Sequence, residues 1–470
     1  MSEFRLTKPA EPFLDEVVVW VLCARIIRPV ARLDCPSTSI AIKSMRIYIL
    51  LTLLLVRGVL AASAESSGET TETNGTINLR AAVSLALARH PGLAAYSKDI
   101  RIADSEKLQA GVWQNPVVGF AMEDVAGSGS YSSFDRAQNT LQLSQLFELG
   151  GKRRARIRAA EAQQELVEWD YETRRLEIAA DTAASFVDLL GAQRRLAQAG
   201  DTLALTEKFA PAAQKRADAG QGSPVEVTRV NVAIASAKMA VEQQRGQVAV
   251  ARKRLAALWG STEPLFTEAV GDLEHVRDLP TLADATVQLG KNPLLARYDA
   301  EVARRGAELL REKAKRHPDL TVSAGVRQFS EDNEAAAVIG ISLPLPLFDR
   351  NQGGIAAAQA QTEKVHDLQE AAKVQLNTSI AIAYEQMENA KLLITTYHEL
   401  VLPQVEDAYT LTNEGYENGR FGYLDVLDAR RTLTDAQQQH LDALVRYHKA
   451  VAEIEGLTGQ ALPSTVKSKE

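Results

Sequence analysis

The sequence predicts an α+β membrane protein, internally duplicated, in which each half combines very long coiled-coil helices with a pair of membrane-spanning β-strands. Three observations carry this expectation. A single pattern is written twice between Asn78 and Gly459, the helical stretches are far longer than one compact domain can bury, and the short segments between them alternate strictly between apolar and polar residues.

The duplication is read from anchors that recur at an offset of about 200 residues. His90-Pro91 matches Asn292-Pro293, Leu146-Phe147 matches Leu347-Phe348, and Gly220 matches Gly419. Glu226 likewise matches Asp425, and Leu258-Trp259-Gly260 matches Leu457-Thr458-Gly459. The first repeat is placed at 78–260 and the second at 280–459, followed by a short tail at 460–470.

Ahead of the repeats, Met45-Arg46 opens a basic start, Ile47 to Val56 is almost wholly apolar, and Ala62-Ser63-Ala64 offers small residues to a signal peptidase. Residues 45–64 read as a secretory signal, the apolar run being too short to span a bilayer. Residues 1–44 then lie upstream of a better start and read as a mis-called beginning of the frame or an extended leader. Cys23 and Cys35 both fall there, so the mature chain is expected to lack thiolate ligands and disulfides.

Composition supports long exposed helices. Charged residues make up 24% and aromatics only 6%, with Ala, Gln, Glu, Arg and Leu filling the helical stretches. A net charge of -7 gives no footprint for nucleic acid.

Each repeat holds one very long helix, expected at about 150–218 and 353–418, followed by a return helix at 224–258 and 424–457. The first arm contains only Pro211 near its end and the internal glycines Gly191 and Gly200; the second is broken only at Pro403. Leu166, Trp169, Leu176, Ala180, Ala183, Val187 and Leu190 form a sparse seam at coiled-coil spacing, and the return helix is its natural partner.

Strands are expected at about 116–123 and 138–147 in the first repeat and at 318–328 and 337–348 in the second. Leu141, Leu143 and Phe147 alternate with polar residues, as do Leu320, Val322, Ala324 and Val326, and as do Ile339, Ile341, Leu343, Leu345 and Leu347. Such alternation fits a strand between lipid and water, although a half-buried soluble sheet alternates in the same way. Four strands cannot close a barrel, and their edges would be left open, so several copies of an exported chain must share one. Polar stretches from Glu123 to Gln138 and from Phe329 to Ala335 would form its outer tips.

The opening segment Asn78-Leu79-Arg80-Ala81-Ala82-Val83-Ser84-Leu85-Ala86-Leu87-Ala88-Arg89-His90-Pro91, the duplication and the turn from Gly419 to Asp428 resemble the TolC family of outer membrane efflux proteins. Within that family, Gln145 to Arg153 and Leu343 to Gly353 resemble the CzcC branch, which is associated with heavy-metal efflux. The resemblance implies a homotrimer whose subunits each give four strands to one twelve-stranded outer membrane barrel. Below it, the helices would form a long periplasmic tunnel. It also implies a tripartite pump, completed by a periplasmic adaptor and an inner membrane transporter of the resistance-nodulation-division type, with the outer component a passive conduit for divalent cations.

No catalytic constellation or cofactor motif emerges from the residues. Gly150-Gly151-Lys152 lacks the upstream glycine and the following Ser or Thr of a phosphate loop. The seven histidines, His90, His275, His317, His366, His398, His440 and His448, show no paired ligand spacing and read as surface or capping residues, so no metal site is expected.

The family resemblance singles out the helix turns as the periplasmic tip. Asp425 and Asp428 match two aspartates that narrow the entrance, and threefold symmetry would turn them into carboxylate rings that favour cations. The plainer reading is that Asp425 caps its helix and Asp428 favours the positive N-terminal end. Tyr416 matches the gate tyrosine, whereas Phe421 stands where drug-exporting members carry a gate arginine, with Arg420 one position earlier. Glu226 is the acidic residue of the first-repeat turn. Gly220, Gly222, Gly419 and Gly422, with Arg420, mark the turns that would receive the adaptor, or serve only to reverse the helices.

Lys152, Arg153, Arg154, Arg156 and Arg158 crowd the first turns of the long helix, against its dipole. Lipid phosphates or acidic neighbours would compensate them; a solvated face is the alternative. Two other functional classes stay open on the residues alone: a periplasmic coiled-coil adaptor, and a TolC-type conduit for drug efflux or type I secretion.

Overall fold

The computed structural model describes residues 75–220, 223–277 and 280–459. The expected extension, signal segment, cysteines and C-terminal tail all lie outside the described residues, as does Gly222.

Each repeat opens with a helix pair whose second member starts on a cap followed by proline. In the first repeat, α1 (Leu79–Arg89) leads into α2 (Pro91–Ala110), where His90 Nδ1 accepts the backbone N–H groups of Gly92 and Leu93. In the second repeat, α5 (Leu282–Leu289) leads into α6 (Pro293–Ala314), and Asn292 Oδ1 accepts from Leu294. A capping acceptor satisfies an orphan helix donor, and proline at the first helical position gives up an N–H that would have no partner. The dipeptides that revealed the duplication are therefore two versions of one helix start. Before α1, β1 (Thr76–Ile77) pairs in parallel with β4 (Glu268–Ala269), tying the start of the first repeat to the segment between repeats.

The strands β2 (Val117–Glu123), β3 (Gln138–Phe147), β5 (Leu320–Phe329) and β6 (Glu334–Ser342) form one antiparallel sheet in the order β2-β3-β5-β6. Register places Phe120 opposite Leu141, Leu141 opposite Val326, and Val326 opposite Ala337. Val118, Leu143, Ala324 and Ile339 form the adjacent row of the same face. That face is apolar and bare: Phe120 is 63% exposed, Ile339 79% and Ile341 73%. The opposite face carries Arg327, which meets Glu123 at 3.0 Å and donates to Thr140 and Gln138. Among the described residues no helix is long and apolar enough to cross a membrane.

Both ends of the last strand are corrected. It runs over Glu334–Ser342 and stops well before 348, because Pro344 and Pro346 have no N–H to give to a ladder. It also starts before 337, since the hairpin with β5 is tight, turning through 330–333 with Asn333 at a φ of 53°.

The long arm of the first repeat, α3 (Lys152–Asp218), is a single helix of 67 residues, about 100 Å at 1.5 Å per residue. Its return partner is α4 (Pro224–Ala257). The second arm is interrupted just before Pro403, where the sequence places its one break. It comprises α7 (Gln352–Thr396), one π-helical turn (Tyr397–Val401) and α8 (Leu402–Glu417), followed by α9 (Tyr423–Thr458). The wide turn is closed by Leu402 N–H donating to the Tyr397 carbonyl. Pro403 accounts for it, since a proline cannot donate four residues back and its ring pushes the preceding turn apart.

The two repeats do not form separate cores. Besides α4, α3 packs against α2, α6 and α9, and α9 also lies on α7. The main core joins Phe186 and Leu189 of α3 and Leu255 of α4 to Ile380 of α7 and Leu444 and Tyr447 of α9. Leu166, Ala183, Val187 and Leu190 of the expected seam are buried.

Candidate functional site

At the end of α3 and α8 the chain reverses twice, and the two reversals pack on each other around a small aromatic cluster. Phe209 of α3, Tyr416 of α8 and Tyr423 of α9 meet edge to face with ring centroids 6.1–6.4 Å apart, on a floor of Ala213, Val230 and Val426.

The α8 reversal is a Schellman motif. Gly419 N–H donates to the Tyr416 carbonyl and Arg420 N–H to that of Gly415, with Gly419 in the left-handed region at a φ of 73°. Gly220 takes the same conformation after α3, at a φ of 70°. A side chain on Gly415 would collide with the Phe421 ring, so the turn closes tightly over its helix end.

Tyr416 is only 1% exposed, and its Oη donates to the Glu226 carboxylate at 2.6 Å. Arg216 holds the same residue from the other side. Its guanidinium donates to the Tyr416 carbonyl at 2.8 Å and lies 4.8 Å from the ring centroid. Burial, followed by the Glu226 carboxylate, pushes the Tyr416 hydroxyl well above the usual tyrosine range; Tyr423 is raised mainly by burial. Further up α9, Arg430 is buried and donates to the Thr202 carbonyl.

The structure thus brings Tyr416 and Glu226 into direct contact and sets Gly419, Arg420 and Gly422 around them. Asp425 and Asp428 stay outside this network, exposed on the first turns of α9. Asp425 Oδ2 accepts the Gly422 N–H at 2.8 Å, so it caps the helix while leaving its other oxygen free of that bond. Arg216, Phe209, Tyr423 and Arg430 are the members that sequence reasoning missed. Arg216 was discoverable as a cation in the last turn of a helix, four residues before its C′ glycine.

Three of the five cations at the start of α3, Lys152, Arg153 and Arg156, are compensated within the chain. Lys152 pairs with Asp319 at 2.8 Å, and Arg156 pairs with Glu148 at 2.5 Å. Arg153 donates to the Gly111 carbonyl and lies over the Trp113 ring, while Arg156 also donates to the carbonyls of Ala110 and Val112. These cations therefore serve the C-terminal end of α2, where free carbonyls and the negative dipole end attract them. Arg154 and Arg158 are exposed. Gly150, part of the phosphate-loop look-alike, is packed against the His317 ring with no room for a side chain. Among the described residues no group of three or more His, Cys, Asp or Glu is placed to hold a metal ion.

The family model for outer membrane efflux proteins matches residues 82–261 and 287–460. The chain is 36% identical over 389 residues to the cobalt-zinc-cadmium resistance protein CzcC of Cupriavidus metallidurans, covering 83% of this chain and 91% of that protein. It is 28% identical over 307 residues to the nickel and cobalt resistance protein CnrC of the same organism, covering 65% of this chain and 72% of that protein. The fold is similar to the crystal structure of CusC, with a TM-score of 0.70 at 16% identity, covering 84% of this chain and 95% of that one.

Proposed function

Because the chain belongs to the outer membrane efflux protein family, we propose that it is the outer membrane channel of a tripartite pump that exports divalent heavy-metal cations. The observation that carries the metal assignment is the 36% identity with CzcC over 83% of this chain. The channel assignment rests also on the bare apolar face of the sheet, which a protein in water would leave as an aggregation surface and a barrel in lipid would not.

Both outer strands, β2 and β6, end the sheet with unpaired edges, which hydrocarbon does not tolerate. In this reading three copies close one barrel of twelve strands, and the arms below it line a periplasmic passage. A periplasmic adaptor docks on the turns around Gly220, Gly222, Gly419 and Gly422, and an inner membrane transporter of the resistance-nodulation-division type supplies the energy. The chain itself conducts passively and performs no chemical step.

At the tip, the Tyr416–Glu226 bond acts as a latch between the two reversals. Asp425 and Asp428, exposed and three residues apart, face the entrance as carboxylate rings under threefold symmetry. The capping bond of Asp425 is compatible with this, since it engages only one of the two carboxylate oxygens.

The test is the tolerance of a strain lacking this gene to zinc, cobalt, cadmium, nickel, copper, dyes and antibiotics. Sensitivity to divalent metals alone is expected and would name the ion. Sensitivity to dyes and antibiotics instead would overturn the metal assignment and make the chain a drug-efflux channel.

A further inference from the structure

We propose that His398 and His440 together bind a first-row divalent transition-metal cation, giving the chain a weak cargo site beside the π-helical turn of the second long arm. The two histidines lie on different elements, His398 within the π-turn and His440 in the middle of α9. Packing of the π-turn against α9 brings their rings to a centroid separation of 6.1 Å with planes inclined at 35°.

His440 is 8% exposed, and its Nε2 is enclosed without a hydrogen-bond partner. A buried nitrogen left unpaired is unfavourable, so this atom is set apart from an ordinary core histidine. A ligand that accepts its lone pair removes that cost.

The ring spacing suits a shared ion. Two imidazoles, each bonded at about 2.0–2.1 Å, place their ring centres about 5–6 Å apart at a tetrahedral or more open angle, close to the separation found here. His398 is exposed, which gives the ion a route in and lets water complete the coordination. Imidazole nitrogen selects zinc, copper or nickel over magnesium or calcium.

Two protein ligands in place of a closed set of four make an exchangeable site, as transit of cargo requires. The inference rests on the metal-export reading but is tested apart from it. Full-length mature protein without a polyhistidine tag, stripped of metal in detergent, would be titrated with Zn2+ by calorimetry and with Co2+ by visible absorption.

Saturable binding near one ion per protomer is expected. His398→Ala and His440→Gln should each weaken it about tenfold or more, while His366→Ala, an exposed histidine on α7, leaves it unchanged. His398→Ala decides the matter if His440→Gln fails to fold, because His398 is exposed. Wild-type affinity in His398→Ala, or no binding by the unaltered chain, would overturn the site. Either result leaves the metal sensitivity of the deletion strain to judge the export reading.

Discussion

Tyr416 Oη and the Glu226 carboxylate meet at 2.6 Å, joining the last turn of α8 in one repeat to the first turn of α4 in the other. The carboxylate sits where the α4 dipole favours negative charge, and Arg216 steadies Tyr416 through both its carbonyl and its ring. The bond therefore couples the two helix reversals that the internal duplication placed at the same end of the molecule.

Replacing Tyr416 by Phe keeps the aromatic packing and removes only this bond, at a cost of about 1–2 kcal/mol with the charged acceptor. Single-channel recordings should show larger or more frequent openings than the unaltered channel. Identical traces would remove the bond from gating.

Alkaline pH probes the same place. The folded-state hydroxyls of Tyr416 and Tyr423 titrate above the ordinary value of 10.0, so their contribution to stability is complete below that pH and is lost as pH rises through it toward the folded value. Protease resistance of the tip should decline above about pH 10, where unfolded tyrosines ionise. The decline should be shallower in Tyr416→Phe; equal slopes would place the titration elsewhere.

Asp425→Asn with Asp428→Asn tests the proposed carboxylate rings without destroying the cap, since an asparagine oxygen still accepts the Gly422 N–H. Reversal potentials in a salt gradient should shift toward lower cation preference. Preserved selectivity together with normal folding would leave Asp425 as a capping residue alone.

Much of this architecture is legible in the residues themselves. His90-Pro91 and Asn292-Pro293 announce the duplication because capping chemistry is local, and Leu141, Leu143, Ile339 and Ile341 announce a two-sided sheet because pleating has a period of two. What cannot be read depends on how distant segments pack. The roles of Arg216 and Arg156 arise from carbonyls on other elements, and nothing in the spacing of His398 and His440 says their rings meet. At the end of β6 two signals compete: alternation continues through Leu343, Leu345 and Leu347, while Pro344 and Pro346 remove the donors a strand needs, and the prolines win.

The exposed face of the sheet makes a sharp prediction. Ile339→Arg places a charge where lipid is proposed, and near the bilayer midplane this costs about 2–4 kcal/mol. The variant should give a markedly lower yield of heat-resistant, membrane-inserted protein. Ser323→Arg, on the opposite face beside Gly340, tests the alternative; similar loss in both would mean that crowding, not lipid, is being measured.

Gly419 separates the turn as a fold from the turn as a docking surface. Its φ of 73° suits glycine and, less well, asparagine, whereas a β-branched side chain there costs about 1–2 kcal/mol of backbone strain. A Cβ at this position would meet no atom within 4 Å, so a side chain would project outward and disturb little else in the chain. Gly419→Val should therefore weaken site-specific crosslinking to the adaptor both by straining the Schellman turn and by filling the surface. Gly419→Asn keeps the left-handed backbone and should retain the turn while still crowding the partner. Loss of crosslinking in both variants would locate the adaptor on this turn, loss in the valine variant alone would show that backbone shape matters more than contact, and normal crosslinking in both would refute docking at Gly419.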